Sequence, residues 1–549
     1  MSLSLRRIGT GSLLALLALA ASQFVWVRWT NFGGVDEWLV LWLANHGIVD
    51  FPYENRPVRI IWSLPAALLT PWRLSGFLPL HAAYLAAGAW VFGLLVRRLE
   101  PGAPRLALLA AVFALVWAPL DMGRLAVVQC SPISGPLFSC LLALLLVTES
   151  WRRGAMPLVG LALAAAYVTT RSYEATLGLL AGAPLLLAFA RTGQAEESAP
   201  SGSWWRLALI YELGILALAA LAVAPMLDAS GAVYQSQVLG LDLDPRRYAG
   251  RLARQYALHL APLWPADPTE LVHVGVVAAV LVFLLAARAT PNDAANRGLE
   301  ASRGRLARLA GLGLVLAGLG YSLLAASPGV LGAARTQFLS APGMGLFLAA
   351  ALGLAGSFLP PSARARAVLA GAAAVVAIGT GHTLGMQREW NRISAYPAQR
   401  QTLAALVDEA PALRPNTLVL LLDEDHVWSH VLAFRPALSL VYGDDMVGYS
   451  IGSDRFLYDI TREAAGLRVL PWPVIRGPWR ESPSFHRWDE VVVFRLAGGQ
   501  ATLIETWEHA WLPPIPTGAR YAPRERITKG PAPPGRRVLG EQSSADGVP

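Results

Sequence analysis

The sequence has little charge, almost no cysteine and none of the motifs that mark the common soluble enzymes. Only 15% of its 549 residues are charged, whereas soluble domains carry about 25%. The hydrophobic share is 54% and the mean hydropathy is +0.44. No P-loop, GxSxG or dinucleotide fingerprint is present. These absences argue against an ATP-driven pump and a serine hydrolase. The low share of charged residues indicates that much of the chain lies in a lipid bilayer.

The two cysteines, Cys130 and Cys140, exclude most thiol-based chemistry. Along one helix their spacing corresponds to roughly 15 Å, which is too far for a disulfide. No Cys/His zinc pattern accompanies them. We therefore expect two unpaired, buried thiols.

Long apolar runs dominate the first two thirds of the chain and predict a polytopic α-helical membrane protein with about eleven transmembrane helices. The N-terminal run resembles a signal peptide, but it continues to Val27 and precedes a polytopic chain, so a retained first helix is expected. The predicted spans are 11–27, 76–96, 105–120, 132–149, 155–170, 173–190, 207–226, 269–288, 307–326, 341–359 and 364–384.

Arginine clusters between these runs fall on one side of the membrane if the N-terminus is cytoplasmic, as the positive-inside rule requires. This distribution also explains the formal net charge of +8 without any nucleic acid partner. An odd number of spans then places the C-terminal region outside. The clusters are Arg6/Arg7, Arg97/Arg98/Arg105, Arg152/Arg153, Arg191/Arg206, Arg288 to Arg308, and Arg364/Arg366.

One further apolar segment, residues 56–72, tests this topology. Counting it as a span would invert every later loop, and it contains Arg56, Arg59, Pro65 and Pro71. We expect an amphipathic helix on the outer membrane surface instead. The first external loop, 28–75, would then carry interfacial helices, within a transmembrane domain of residues 1–390.

The composition changes beyond about residue 385. The segments 417–423, 489–496 and 501–505 are predicted strands, and 398–409 is a predicted short helix. Residues 391–512 are therefore expected to form a small extracytoplasmic α/β domain. The Pro/Gly/Arg-rich residues 513–549 are expected to be a disordered tail.

An adjacent acid pair, Asp36-Glu37, follows the first span. A carboxylate that is partly desolvated at a membrane surface could serve as a general base or a metal ligand. The alternative is a helix cap and first-turn acid at the start of a helix over 38–45.

Three groups of charged residues at the predicted outer boundary are candidates for binding an anion. Arg56, with Arg59 near it, could hold a phosphate through a guanidinium fork, or could bind lipid headgroups. Arg171 and Glu174 could face a cavity, or could form an ion pair that closes a short turn. Arg335 is a further candidate in the loop AARTQFLSAPG.

In the C-terminal region, Asp423-Glu424-Asp425-His426 together with His430 could form a metal site. No HExxH-like pattern supports it, and acids at a strand end commonly cap or are solvated. We predict no dedicated metal site and no certain cofactor, with a divalent metal ion as the one open candidate.

The layout resembles the GT-C superfamily of membrane glycosyltransferases, which use polyprenyl-phosphate sugars. The shared features are a first helix, a long external loop opening with an acid pair, interfacial helices, many spans and an external C-terminal domain. The pair, followed by Asn55-Arg56-Pro57, is similar to the O-antigen glucosyltransferase group, although Asn55 stands where that group has glycine. The layout covers roughly residues 1–390, but the motifs cover only 36–37 and 55–57.

The resemblance implies that a sugar is transferred in a single displacement, with inversion of configuration at its anomeric carbon. Asp36 would be the catalytic base and Glu37 its partner, while arginines such as Arg56 or Arg335 would hold the departing polyprenyl phosphate. The implied partners are a polyprenyl-phosphate sugar donor, membrane lipids, and an envelope glycan, lipid or protein as acceptor.

Two other functions compete with this one: a transporter or flippase, and a non-catalytic envelope assembly protein. No internal repeat is evident, and the charges lie at span boundaries, which disfavours a transporter. The Ala/Leu/Arg-rich composition is typical of a bacterium of high genomic GC. The expected location is the inner membrane, with the N-terminus cytoplasmic and the C-terminal domain periplasmic or extracellular.

Overall fold

The structure is a computed structural model that describes most of the chain. The described residues are 3–22, 37–46, 56–69, 77–118, 121, 125, 133–192, 204–224, 242, 244–260, 301–326, 337–428, 431–452, 460–469, 483–512, 514–530, 533, 535 and 539.

Helices dominate the described part of the chain as far as residue 409. They are α1 (Leu3–Ser22), α2 (Glu37–Asn45), α3 (Ile60–Leu69), α4 (Phe77–Leu99), α5 (Pro104–Val116), α6 (Ser134–Arg153), α7 (Pro157–Thr170), α8 (Leu177–Leu180), α9 (Ala183–Arg191), α10 (Trp204–Val223), α11 (Pro245–Leu260), α12 (Arg303–Ala325), α13 (Ala341–Gly356), α14 (Pro361–Ile393) and α15 (Tyr396–Glu409).

Within the described residues, six stretches of helix are long and apolar enough to cross a membrane, and four shorter apolar helices accompany them. These ten coincide with ten of the predicted spans, whereas the predicted span 269–288 lies outside the described residues. The chain is therefore a multi-pass helical membrane protein. The six are Phe77–Leu99, Ser134–Arg153, Glu174–Arg191, Trp204–Ala222, Arg303–Ala325 and Ala363–Trp390, and the four are Leu13–Ser22, Pro104–Val116, Pro157–Thr170 and Ala341–Gly356.

The segment predicted to lie on the membrane surface forms helix α3, which has ten residues. Ten residues rise about 15 Å, half the thickness of a bilayer core, so this helix is too short to span. Its location on the outer membrane surface stays a prediction.

Helix α14 has 33 residues and continues well past the predicted span 364–384. At 1.5 Å per residue it is about 50 Å long, which exceeds the bilayer core. Two residues separate it from α15. The membrane helices are thus joined to the C-terminal region by one continuous helix and a short break.

Glycines allow α13 to pack closely on two neighbours at once. A Cβ on Gly343 would lie 2.6 Å from the Gly313 carbonyl oxygen of α12, and one on Gly345 would lie 2.5 Å from the Ala114 nitrogen of α5. Both obstacles are backbone atoms, which cannot rotate away. Such close backbone approach through small residues is how membrane helices gain packing energy without a hydrophobic driving force between them.

Buried Arg305 ties the ends of several helices together near one end of the bundle. Its guanidinium donates to Glu100 at 2.8 Å, to the Leu99 carbonyl at 2.9 Å and to the Thr192 hydroxyl at 2.7 Å. Its hydrogen-bond donors are thereby paired with acceptors in α4, in the residue after α4 and at the end of α9. An arginine fixed in this way is compatible with a membrane boundary.

The C-terminal region is built on a four-stranded sheet in the order β3-β2-β7-β8. The strands β3, β2 and β7 are parallel and β8 is antiparallel. Every residue of β2 is buried, as expected for a central parallel strand covered on both faces. The strands are β1 (Ala412–Leu413), β2 (Leu418–Asp423), β3 (Val447–Ile451), β4 (Ile460–Glu463), β5 (Gly466–Val469), β6 (Ser484–Arg487), β7 (Val491–Ala497), β8 (Gln500–Leu503) and β9 (Ile527–Thr528); helix α16 is Val431–Tyr442.

The expected strands and the helix over 398–409 are confirmed as β2, β7, β8 and α15. The prediction of a disordered tail is wrong for residues 514–530. Strand β9 pairs with β1, and the Tyr521 hydroxyl donates to the Ile504 carbonyl at 2.8 Å. Tyr521 also accepts from the Val493 amide, so this segment completes the sheet region.

Replacing Gly343 by valine should destabilise the protein by about 3 kcal/mol, because the branched side chain meets the α12 backbone. The matched control is Gly311→Val, since nothing lies within 4 Å of the position of that added Cβ. Thermal unfolding of the detergent-purified variants gives the comparison. Equal unfolding temperatures for the two variants would contradict the close packing.

Candidate functional site

Arg56 and Glu174 form a two-pronged ion pair that links the segment before α3 to the turn after α7. The Arg56 Nε donates to one carboxylate oxygen at 2.9 Å and Nη2 donates to the other at 2.5 Å. The two side chains retain only 12% and 17% of their exposure. A guanidinium held through a planar fork has a fixed orientation, which is the property required of an anion-binding group.

The turn formed by residues 170–174 places the Glu174 carboxylate next to Arg56. The Tyr173 amide donates to the Thr169 carbonyl at 2.8 Å, and the Ser172 hydroxyl donates to the Val168 carbonyl at 2.7 Å, so the end of α7 is closed tightly. Ser172 also accepts from the Trp62 indole of α3 at 2.9 Å. This last bond anchors α3 beside the turn and sets the segment that contains Arg56 next to Glu174.

Two further side chains belong to the same group. Arg59 is buried, at 6% exposure, and lies close enough to Glu174 to interact with it electrostatically. The Arg56 guanidinium lies 5.2 Å from the centre of the Tyr173 ring, within the range of a cation–π contact. Two guanidinium groups, one of them held in a fixed orientation, thus lie beside this carboxylate. The group is therefore suited to an anion.

Arg171 does not form the predicted pair with Glu174. Its Nη1 donates to the Leu221 carbonyl of α10 at 3.0 Å, and Glu174 pairs instead with Arg56, 118 residues earlier in the chain. The two side chains follow the end of α7 in a tight turn, which directs them toward different neighbours. The structure thus brings Arg56, Arg59 and Glu174 together and does not join Arg171 to them.

Of the acid pair, Glu37 is the first residue of α2 and Asp36 lies outside the described residues. Glu37 is buried, at 1% exposure. Its position in the first turn matches the structural alternative considered for the pair, a helix-start acid. Arg335 also lies outside the described residues, so its predicted contact with an anion stays a prediction.

The structure contains buried polar side chains that were not identified from the sequence. His259 of α11 shares a hydrogen bond of 2.8 Å with the Ser340 hydroxyl, and its carbonyl accepts from the Trp117 indole at 3.0 Å. Asp121 is completely buried. His259 and Ser340 are 81 positions apart, so their spacing in the sequence gives no sign of this contact.

The acids after β2 are engaged in structural bonds. Asp423 accepts from the Val427 and Trp428 amides, and Asp425 accepts from two glycine amides of the β7–β8 turn. Glu424 pairs with Arg495 and His509. Over the described residues, no three His, Cys, Asp or Glu side chains form a metal-binding group. His430 lies outside those residues.

Comparison with known proteins finds similarity to solved structures only. No family model and no curated protein matches the chain. The crystal structure of ArnT from Cupriavidus metallidurans bound to undecaprenyl phosphate is similar to it, with 14% identity and a TM-score of 0.35, over 76% of this chain and 84% of that one. At that TM-score the similarity carries no weight for function, and the function proposed for this chain rests on its own residues.

Removing the carboxylate with Glu174→Gln should destabilise the protein by about 3 kcal/mol, since the largely buried Arg56 loses its two-pronged ion pair. The second substitution Arg56→Gln should recover part of that loss. Thermal unfolding in detergent measures both. The control is Glu463→Gln, which breaks a more exposed ion pair with Arg468 and should cost about 1 kcal/mol or less. Equal losses for the two single variants would contradict the role of the pair.

The ion pair at Glu424 should make stability depend on pH in the acid range. Arg495, and then His509, lower the pKa of Glu424 to about 2. Because this pKa is lower in the folded than in the unfolded protein, the ionised carboxylate stabilises the fold at pH values above the ordinary pKa of 4.5. This stabilisation is lost as the pH falls toward 2. The gain is about 1 kcal/mol or less, because the pair is partly solvated. Glu424→Gln should therefore be less stable than wild type at pH 6 and match it near pH 2; a constant difference would contradict this.

Proposed function

We propose that the chain is a membrane glycosyltransferase of the GT-C type. It would move a sugar from a polyprenyl-phosphate donor to an extracytoplasmic glycan, lipid or protein, with inversion at the anomeric carbon. The observation that supports this most directly is the group of Arg56, Arg59 and Glu174, in which two guanidinium groups lie together at a span boundary and one of them has a fixed orientation.

The position of this group fits a lipid-linked phosphate. Glu174 begins the predicted crossing that ends at Arg191, and α4 and α6 likewise end in arginine pairs. The anion-binding group therefore lies opposite the arginine-rich ends, on the side that the positive-inside rule assigns to the exterior. We propose that this side is the periplasmic face of a bacterial inner membrane.

Arg56 would act on the leaving group. As the bond from the anomeric carbon to the phosphate oxygen breaks, the electron pair leaves with the phosphate, whose charge grows. A guanidinium already oriented by Glu174 stabilises that charge without reorganising. Arg59 adds charge to the same place, and the pairing with Glu174 keeps Arg56 compatible with the membrane boundary when no donor is bound.

Asp36 would act on the acceptor. The acceptor hydroxyl oxygen forms the new bond to the anomeric carbon, and its proton passes to the Asp36 carboxylate. This role comes from the resemblance of the acid pair to that of the superfamily. Glu37, buried at the start of α2, would be the less direct partner.

The test follows the release of polyprenyl phosphate in membranes supplied with a panel of polyprenyl-phosphate sugars and a cell-envelope extract as acceptor. Wild type should release it above background, and Asp36→Asn should abolish the release while expression stays normal. Arg56→Lys should raise the KM for the donor, because a lysine cannot reproduce the guanidinium fork.

The control is Asp489→Asn, an acid-to-amide change at an ion pair with Arg487 in the C-terminal region, which should release polyprenyl phosphate as wild type does. A well-expressed wild type that releases nothing from any donor would reject the proposal and favour a transporter or an assembly protein. Release that survives in Asp36→Asn would reject the role of that residue alone.

A further inference from the structure

Helix α2, whose first residue is one of the two acids, packs on the C-terminal region. It contacts α16 directly. The Trp38 side chain is buried, at 1% exposure, and stacks on Tyr396 with ring centres 5.3 Å apart. Trp428 lies beside it at 6.2 Å. The residue that follows the acid pair is thus enclosed by aromatic side chains of α15 and of the segment after β2.

A hydrogen bond fixes the Trp38 ring within this enclosure. Its indole nitrogen donates to the Gln399 side-chain oxygen at 2.7 Å. The amide nitrogen of Gln399 donates in turn to the Val427 carbonyl at 3.2 Å, which sets the orientation of the amide. Gln399 is itself buried, at 3% exposure. The bond to Trp38 is therefore formed away from water, where directional contacts are most selective.

A second attachment lies one to two turns further along the same face of α2. The Trp42 indole donates to one Asp444 oxygen at 2.8 Å, and His46 Nε2 contacts the other at 2.5 Å. The other ring nitrogen of His46 bonds to the Trp42 carbonyl at 2.7 Å. Trp38, Trp42 and His46 recur every four residues, so the contacts lie along one stripe.

These two attachments determine where α2 lies. The helix has nine residues, too few to be stable in isolation, so its position depends on tertiary contacts. Apolar packing alone would allow a short helix to slide or rotate. Bonds at its second residue and just beyond its last residue fix both its rotation and its position along its axis.

We propose that the C-terminal region is part of the catalytic unit, with Gln399 and Asp444 as positioning residues that hold α2 and, through it, the acid pair. The inference rests on the proposed glycosyl transfer. Small displacements of a catalytic group caused by changes far from the chemistry can cost about a hundredfold in rate. Loss of either attachment should therefore reduce kcat more than it alters the KM for the donor.

The decisive variants change the attachments while retaining the fold. Gln399→Leu removes the acceptor for Trp38, whereas Gln399→Glu keeps an acceptor oxygen; Asp444→Asn keeps one oxygen and loses the charge that faces His46. We expect kcat to fall about ten- to a hundredfold in Gln399→Leu, with the KM for the donor unchanged within twofold, and to recover in large part in Gln399→Glu. Asp444→Asn should lie between Gln399→Leu and wild type.

Two matched controls lie beside these positions. Gln401→Leu changes an exposed glutamine on the same helix, and Asp445→Asn changes the exposed acid next to Asp444. Both should retain wild-type kcat. The inference is overturned if Gln399→Leu and Asp444→Asn also retain it, if they lose activity only in proportion to folded protein, or if Gln399→Glu is no better than Gln399→Leu.

A cross-linking experiment tests the contact without relying on catalysis. Cysteines placed at His46 and Asp444, with the native cysteines replaced, should be joined by a short bis-maleimide in native membranes, and neither single-cysteine variant should react in this way. Absence of the cross-link overturns the docking of α2. If the cross-link forms but wild type transfers no sugar, the proposed function fails and the positioning role falls with it; an active wild type with indifferent Gln399→Leu rejects the positioning role alone.

Discussion

A bilayer core offers no water to a charged side chain, and this constraint governs where the membrane part of the chain keeps its ionised groups. Arg305 at one end of the bundle is surrounded by Glu100, a hydroxyl and backbone carbonyls. At the proposed outer boundary, Arg56 is matched by Glu174. Between such ends the helices rely on close contact, as at Gly343 and Gly345. The charged side chains described at these two ends, Arg305 and Arg56, are consequently paired and held in fixed orientations.

The sequence was sufficient for the helical architecture because length and hydropathy are local properties. The ten apolar helices could be placed by their apolar runs, and α3 could be recognised as too charged and proline-rich to be a span. Strands β2 and β7 were equally evident, since each is a short run of Val and Leu. None of these predictions required knowledge of what each element touches.

Predictions that depended on pairing were less successful. Arg56 and Glu174 were both candidates, but the nearer Arg171 was considered as the partner of Glu174, because only local spacing can be read from a sequence. Nothing in the local sequence indicates that Gln399 and Asp444 accept the hydrogen bonds of Trp38 and Trp42. The tail was judged by its proline and glycine content, which does not reveal the two hydrogen bonds of Tyr521.

The contact between Trp38 and Gln399 also bears on how the protein is made. The two residues are 361 positions apart, so α2 emerges from the ribosome long before its binding surface exists. At 5–20 residues per second, the interval is on the order of 20–70 s. Strand β1 likewise cannot pair until β9, near the end of the chain, has been synthesised. Helix α2 must therefore remain without its binding surface during most of synthesis, when it is most exposed to proteases and chaperones.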